Sequence, residues 1–467
     1  MGLPAMRAPS RLESVLEMVE RYDRPSPRYT SYPTVPFWSR DFDGGDYESA
    51  LGELADRSDD SVSVYVHLPF CARRCFYCGC NAMVTHRGHV VDAYLDRVER
   101  EVWSVASRIG MGRRVTQLHW GGGTPNFLDR DQTIRLFGLM ATAFDLAPDA
   151  EVSIEMDPRV GTVEQVQLLR QLGFNRVSLG VQDLDENVQN AIGRRQTEEE
   201  TVGLYEACRD EGFSSVNLDL VYGLPRQTRA TFHRTIQRVI ELGPDRVATF
   251  SYAHLPEMRP NQKAIDEDDL PPAEEKLALF LMALDAFEDA GYDWIGLDHF
   301  ARCHDELAEA ARARTLQRNF MGYVTELAPH VLAFGVSGIG YVADRFVQNE
   351  PKLGRYQDAV DRGDLPVVRG HHLNRDDLFR QRVIHHLMCN LELDFDVTVP
   401  EFGTSVDVEL PPEVRALGRY VEEGFLEPRP RGFRVTENGR FFLRSMAMEM
   451  DHYVHQRIDR PTFSSTV

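Results

Sequence analysis

Between residues 62 and 253 the chain repeats one pattern: a short β-rich run that closes on Gly, Pro or polar residues, followed by a stretch of helical periodicity. The runs are 62–67, 115–120, 152–156, 176–181, 215–221 and 246–253, with 294–297 as a further candidate. The first intervening stretch carries Val91, Leu95, Val98, Val102, Val105 and Ile109, spaced by threes and fours, which places them on one helical face. Strands that alternate with helices pair in parallel through right-handed crossovers. The chain is therefore expected to be α/β, either an open doubly wound sheet or a full or partial barrel, with its functional groups at the carboxyl ends of the strands.

Length and composition set the frame around this core. At 467 residues the chain exceeds the roughly 250–300 at which a single hydrophobic core stops growing. The expected division is an N-terminal arm over 1–58, the βα core with its extension over 59–362, and a mainly helical C-terminal domain over 363–467. The arm carries Pro25, Pro27 and Pro33 among tyrosines, suited to an extended segment laid on another surface. After Asn374, a good helix N-cap, Leu378, Phe379, Val383, Leu387 and Met388 form a stripe. Residues 417–436 read as helix, turn and short hairpin, similar to a winged helix.

With 52 basic and 73 acidic side chains the net charge is −21. Such a field repels nucleic acid and anionic membranes, so neither is an expected partner. No window approaches the roughly 18 consecutive apolar residues of a membrane span, and the first residues lack a signal peptide's apolar core. The expected location is the cytoplasm, as a monomer.

Four of the seven cysteines, Cys71, Cys75, Cys78 and Cys80, fall within ten residues, immediately after the run 62–67. Clustered thiols without a framework of spaced partners point to a metal centre in a reducing compartment, not to disulfides. Three thiolates on one loop can hold a cubane iron–sulfur cluster and leave one iron open to a ligand. The rival is structural zinc with Cys80 as fourth ligand, but two ligands one residue apart strain a tetrahedron, and zinc sites usually pair two separated knuckles. Cys80 is read as a non-ligand beside the cofactor. Gly121-Gly122-Gly123-Thr124-Pro125 leaves the second run with bare backbone able to approach charged ligand groups. Glu155, Gln182 and Asp219 recur at later strand ends, which together describe a cofactor pocket at one face of the sheet.

Assembled, these residues resemble the radical S-adenosylmethionine superfamily and, within it, the oxygen-independent coproporphyrinogen III oxidases of haem biosynthesis. The resemblance runs over nearly the whole chain. It includes Pro27-Arg28-Tyr29-Thr30-Ser31-Tyr32-Pro33-Thr34, Tyr65-Val66-His67-Leu68-Pro69-Phe70-Cys71 and Gly180-Val181-Gln182-Asp183. It continues through Asp219-Leu220-Val221-Tyr222-Gly223-Leu224-Pro225, Tyr252-Ala253-His254-Leu255-Pro256 and Asp298-His299-Phe300-Ala301-Arg302. Cys80 and the tyrosine-rich arm separate this family from the similar haem-chaperone paralogues, which lack both.

The resemblance implies a partial (β/α)6-type barrel with Cys71, Cys75 and Cys78 on a 4Fe-4S cluster and two S-adenosylmethionine molecules. The one on the cluster would meet Tyr65, Gly122, Glu155 and Ile339. The second would meet Tyr77, Gly123, Thr124, Gln182, Arg194, Asp219 and Ala253. Tyr65, Gln182 and Asp219 are the implied catalytic residues. The implied reaction is reductive cleavage of S-adenosylmethionine, hydrogen abstraction from a propionate β-carbon by a 5′-deoxyadenosyl radical, and loss of carbon dioxide and one electron to leave a vinyl group. Two such events convert coproporphyrinogen III to protoporphyrinogen IX, with an unidentified electron donor and acceptor. Arg28, His299 and Arg302 are candidate partners for the substrate's carboxylates.

Two departures from the family pattern stand out. Met321 occupies a position usually held by Gln, and Ser465 one where Arg often follows Phe-Ser. They keep open a radical enzyme acting on another tetrapyrrole or transferring a methyl group; a haem-binding carrier is the alternative from a different class.

Overall fold

The structure, a computed structural model, describes residues 25–396 and 398–454, together with 15, 16, 18, 19 and 21. The chain divides into two compact units that are each discontinuous in sequence. One, the sheet unit, comprises Ser39–Pro271 and Ala328–His372; the other, the helix-rich unit, comprises Met1–Trp38, Pro272–Leu327 and Leu373–Val467. The stretch 1–58 is thus shared between them at Trp38 and Ser39.

The sheet unit is built on β1 (Val62–Leu68), β2 (Arg113–Gly122), β3 (Phe144–Met156), β4 (Arg176–Gln182), β5 (Ser215–Tyr222) and β6 (Arg246–Ser251), followed by β7 (His330–Phe334), β8 (Ile339–Val342), β9 (Arg345–Asn349) and β10 (Val367–His372). Within this unit the strand order is β10-β9-β8-β7-β1-β2-β3-β4-β5-β6. Strands β1 to β6 pair in parallel, as does β7 with β1, while β8, β9 and β10 extend the other side antiparallel. Strands β7 and β6, the outer strands of the parallel part, do not pair with each other, so that part is a partial barrel and not a closed one.

Local sequence explains the connecting helices. Thr162, Thr197 and Thr228 each accept a backbone N–H as N-caps of Val163–Leu172, Glu198–Asp210 and Arg229–Leu242. Gly173 and Gly243 supply left-handed C-caps for the first and last of these. The helix Gly88–Ile109 buries Val91, Leu95, Val98, Val102, Val105 and Ile109, the stripe legible in the sequence. Val64, Val66, Leu118, Trp120, Ile154 and Leu179 form the layer beneath, all essentially excluded from water. Parallel register carries the six carboxyl ends to one face: Leu68 lies opposite Gly122, Trp120 opposite Ile154, Met156 opposite Leu179 and Gly180 opposite Asp219.

The seventh run is a strand as expected, over Tyr292–Gly296; it belongs to the helix-rich unit and forms an antiparallel hairpin with His299–Arg302. The helix-rich unit also contains Ala273–Asp289 and Arg375–Asn390, the latter opened by a capping box on Asn374. Its hairpin Leu426–Arg429 with Gly432–Val435 is joined by Glu392–Asp394 as a third strand. Residues 25–38 pack within the same unit: Tyr29 donates to Asp451 at 3.0 Å, and Arg444 donates to the Pro27 carbonyl at 3.0 Å. Ser465 lies outside the described residues.

One buried carboxyl ties the sheet unit's additions to its core. Glu101 accepts hydrogen bonds from Gly335 N–H (2.9 Å), Asn349 (2.6 Å) and Tyr356 (2.6 Å). Burial nevertheless dominates and pushes its carboxyl up to about 7. A carboxyl whose folded pKa lies above its unfolded one binds more protons when folded, so its contribution to stability falls as pH rises between about 4.5 and 7. In Glu101→Gln, thermal melts across pH 5–8 are expected to lose that component and give a flatter profile; an unchanged slope would contradict it.

Candidate functional site

The carboxyl ends of β1 to β6 each bring a residue to one cavity of about 550 Å³, within the roughly 300–1,000 Å³ usual for ligand sites. Cys71, Cys75, Cys78, Tyr77, Gly122, Gly123, Thr124, Glu155, Gln182, Arg194, Asp219 and Ala253 all line it, and all belong to the sheet unit. Ile339, on β8, is not among its lining residues.

The three-cysteine loop leaves β1 at its carboxyl end, where Phe70 and Cys71 pair with Met83 and Val84. Donors reach the sulfurs: Thr124 Oγ1 to Cys71 at 3.3 Å, Arg159 to Cys75 at 3.6 Å and Arg194 to Cys75 at 3.7 Å. Hydrogen bonds from Cys80 lower the Cys78 thiol to about 6, while burial raises Cys71 to about 11. The loop's backbone is gripped from outside. Asn261 Nδ2 donates to the carbonyls of Phe76 (2.9 Å), Cys78 (3.0 Å) and Cys75 (3.3 Å), and Gln262 Nε2 to those of Tyr77 (2.9 Å) and Ala253 (3.1 Å). Sequence reasoning missed this pair. An amide-bearing dipeptide in a proline-punctuated connection has no distinguishing signal.

The glycine run is required by contact as well as by conformation. Gly122 has φ 121°, and a Cβ there would stand 2.8 Å from the His67 ring; a Cβ on Gly123 would stand 2.8 Å from the Pro69 carbonyl carbon. His67 is 6% exposed, and burial lowers its pKa, so the ring is neutral. Its Nε2 faces the Asn81 carbonyl at 2.9 Å, which can only accept; Nδ1 therefore accepts from the Tyr65 hydroxyl at 3.0 Å. Tyr65 in turn stacks on His119, with centroids 5.8 Å apart and planes 16° from parallel.

The acids and cations of the cavity are divided by environment. Burial raises Glu155, but hydrogen bonds from His119 (3.4 Å) and the Gly122 N–H (3.1 Å) outweigh it and leave the carboxyl below its ordinary value. Its side chain remains 45% accessible, a carboxylate offered to the cavity. Asp219 is pushed by burial up to about 7, despite donors from Ser178 (2.9 Å) and Asn217 (2.7 Å). Gln182 takes φ 67°, uncommon for a non-glycine residue, at the point where β4 shifts register against β5. Arg194, 6% exposed, holds Asp157 through two 3.1 Å bonds and donates to the Gly180 carbonyl at 2.7 Å. Its Nε is buried without a partner.

The three candidate substrate residues lie in the helix-rich unit. Arg28 and His299 converge on Asp298, at 2.5 Å and 3.0 Å, while the Arg302 guanidinium lies over the Tyr292 ring at 5.5 Å. The Met321 N–H and Gly322 N–H both donate to Asn319 Oδ1, so the Asn319 side chain shapes this turn.

The donor set fits a cluster with an organic ligand beside it: three soft sulfurs open to one cavity, two glycines that admit no side chain, a carboxylate suited to an ammonium, and a buried guanidinium with an unused N–H. In the protein without cofactors, Arg194→Ala removes the bidentate partner of a buried aspartate. The expected loss is on the order of 3 kcal/mol in urea unfolding, the lower end for a broken buried pair because Arg159 remains on Asp157. Arg194→Lys should recover little of it, since the paired bonds need the guanidinium fork.

Comparison with known proteins now adds to the geometry. Residues 65–239 match the radical SAM superfamily. The chain is 41% identical to the oxygen-independent coproporphyrinogen III oxidase of Salmonella typhimurium, over 97% of this chain and 98% of that protein. It is 38% identical to the protein of that name from Synechocystis, over 98% of each. The solved coproporphyrinogen III oxidase of Escherichia coli, described as a radical SAM enzyme, superposes with a TM-score of 0.89 at 39% identity, covering 94% of this chain and 98% of that one. Similarity of that depth over both units places the chain in the family of oxygen-independent coproporphyrinogen III oxidases, within the radical SAM superfamily.

Proposed function

We propose that this chain converts two propionates of coproporphyrinogen III to vinyl groups, giving protoporphyrinogen IX, by radical oxidative decarboxylation. The observation that carries the reading is the meeting of Cys71, Cys75 and Cys78 with Gly122, Thr124, Glu155 and Arg194 around one cavity. When bound, a 4Fe-4S cluster and S-adenosylmethionine supply the 5′-deoxyadenosyl radical that the reaction needs.

The chain's own residues then bind, orient and exclude water. Cys71, Cys75 and Cys78 hold the cluster, with Thr124, Arg159 and Arg194 stabilising charge on the sulfurs. The Gly122 backbone would admit the S-adenosylmethionine on the cluster, and Glu155 would take its ammonium. Tyr65, held by His67, and Ile339 would be further contacts of that S-adenosylmethionine. Tyr77, Gly123, Thr124, Gln182, Arg194, Asp219 and Ala253 would hold a second S-adenosylmethionine. Asp219, poised near neutrality, holds or releases a proton at its carboxyl oxygen, and Arg28, His299 and Arg302 bind propionates. The protein works as a cytoplasmic monomer, fed by an external electron donor and relieved by an external acceptor. Seven free cysteines suit that reducing compartment.

The test is anaerobic reconstitution with iron and sulfide, followed by dithionite, S-adenosylmethionine and coproporphyrinogen III, with products read by mass spectrometry. Stepwise appearance of mono- and divinyl products is expected, with at least a thousand-fold loss in Cys75→Ala and a several-fold rise in KM in Arg302→Ala. Deoxyadenosine without vinyl products would assign the radical to another tetrapyrrole, a methylated product would assign group transfer, and haem binding without deoxyadenosine would assign a carrier.

A further inference from the structure

Strands β1 and β7 run side by side as far as Val66 opposite Phe334 and then part, β1 going on towards the cysteine loop. A single oxygen stands in the opening. The Tyr94 hydroxyl, carried by the helix Gly88–Ile109, donates to the His67 carbonyl at 2.6 Å and accepts the Val336 N–H at 3.1 Å, taking the place of the next rung between the two strands. Tyr94 is fully buried, and burial holds its phenol far above the ordinary range, so the hydroxyl keeps its proton and remains a donor. Gly335 is shaped to it: its φ is 90°, and a Cβ there would overlap the Tyr94 hydroxyl and stand 2.8 Å from the His67 oxygen. Glu101, seven residues along the helix and so on the same face, holds the neighbouring Gly335 N–H at 2.9 Å. Two side chains of one helix thereby fix two successive N–H groups of the turn after β7, and Tyr94 binds that turn to β1.

Tyr94 also touches the far side of the bend in β1. Its ring meets the wholly buried Phe70 edge-on, with centroids 5.2 Å apart and planes at 87°, and Phe70 directly precedes Cys71. One residue thus holds the chain on both sides of Leu68-Pro69: at His67, whose ring accepts from Tyr65, and at Phe70, next to the first thiol. Asn261 and Gln262 fix the far turn of the cysteine loop, whereas Tyr94 fixes its root. Tyr94 itself is not among the residues that line the cavity. Resting on the radical SAM reading above, we propose that Tyr94 is a positioning residue, whose hydroxyl and ring together set where Cys71 and Tyr65 stand and thereby how S-adenosylmethionine seats beside them. A hydroxyl that served only the fold would lower stability and do no more; one that sets the root of the loop changes the loop in particular, and small misplacements at such a site are costly.

The test compares Tyr94→Phe, which keeps the ring, with Tyr356→Phe, which removes a hydroxyl from the same buried cluster but one that donates to Glu101, at 2.6 Å, and not to β1. In the full chain without cofactors, thiols are alkylated with iodoacetamide and read by mass spectrometry after trypsin, which separates Cys71 from Cys75, Cys78 and Cys80 at Arg73 and Arg74. Tyr94→Phe is expected to speed alkylation of Cys71 at least three-fold, while the buried Cys208 of the same unit keeps its wild-type rate. In the reconstituted holoenzyme the iron content is expected to match the wild type. The S-adenosylmethionine concentration giving half-maximal deoxyadenosine formation with dithionite is expected to rise at least five-fold, by more than kcat falls. Tyr356→Phe is expected to lose stability to urea and to move neither readout. An unchanged Cys71 rate, an unchanged half-saturating concentration, Cys71 and Cys208 speeding together, or Tyr356→Phe reproducing the effects of Tyr94→Phe would each overturn the assignment. Should Tyr94→Phe not fold, Phe70→Leu, which removes the ring contact alone, decides it by the same alkylation rates. Failure of the functional reading is distinct: it would show as a wild type that makes no deoxyadenosine even with dithionite, and the alkylation rates do not depend on it.

Discussion

The buried Asp157–Arg194 pair is the interaction on which the rest of the site leans. Asp157 follows the end of β3 and Arg194 comes from the connection after β4, so their two parallel bonds close adjacent strand ends on each other. From that position the guanidinium also reaches the Gly180 carbonyl and the Cys75 sulfur. Asp157 is secured from the other side, its N–H donating to Asn126 Oδ1 at 2.9 Å and its carboxylate taking Arg159 at 2.6 Å. Two charges held this far from water persist because both Asp157 oxygens take donors from Arg194 and Arg159. The same completeness makes the arrangement rigid. A rigid cation facing a sulfur is what a thiolate-bound group of negative charge requires for preorganised stabilisation.

Around that pair the cavity sorts its carboxyls by environment. Glu155 keeps a charge because a histidine and a backbone N–H face it, whereas Asp219, with hydroxyl and amide donors and Glu155 as a like-charged neighbour, lies near neutrality. The two acids therefore differ in charge: one is a fixed anion, the other is able to change protonation near physiological pH.

Much of this was legible in the sequence because the signals were local. The strand runs and the helical stripe through Val91 and Ile109 follow from periodicity, and the helix after Asn374 from its cap. The three cysteines and the glycine run announced themselves by spacing. What could not be read was whatever depends on partners distant in sequence. Strands β8, β9 and β10 are short and become strands only by pairing beside β7. The run around Trp294 has strand character but pairs back on His299–Arg302, because Leu297, at φ 45°, turns the chain there. The hold of Asn261 and Gln262 on the cysteine loop spans nearly two hundred residues of chain and uses amides, the least diagnostic of polar side chains. His67 likewise looked like a strand residue, and only its neighbours make it the post that orients Tyr65.

The grip of Asn261 and Gln262 has a consequence for how such a chain can diverge. Both amides read main-chain oxygens, those of residues 75 to 78 and of Ala253, and are blind to the side chains attached. The curvature of the loop is thereby imposed as a template imposes shape on a cast, by count and not by content. Exchanging one residue for another between the cysteines leaves every gripped oxygen in place, whereas inserting or deleting a single residue moves them all out of step. The grip itself therefore restricts this part of the molecule in length, and leaves composition to be restricted by what the side chains touch.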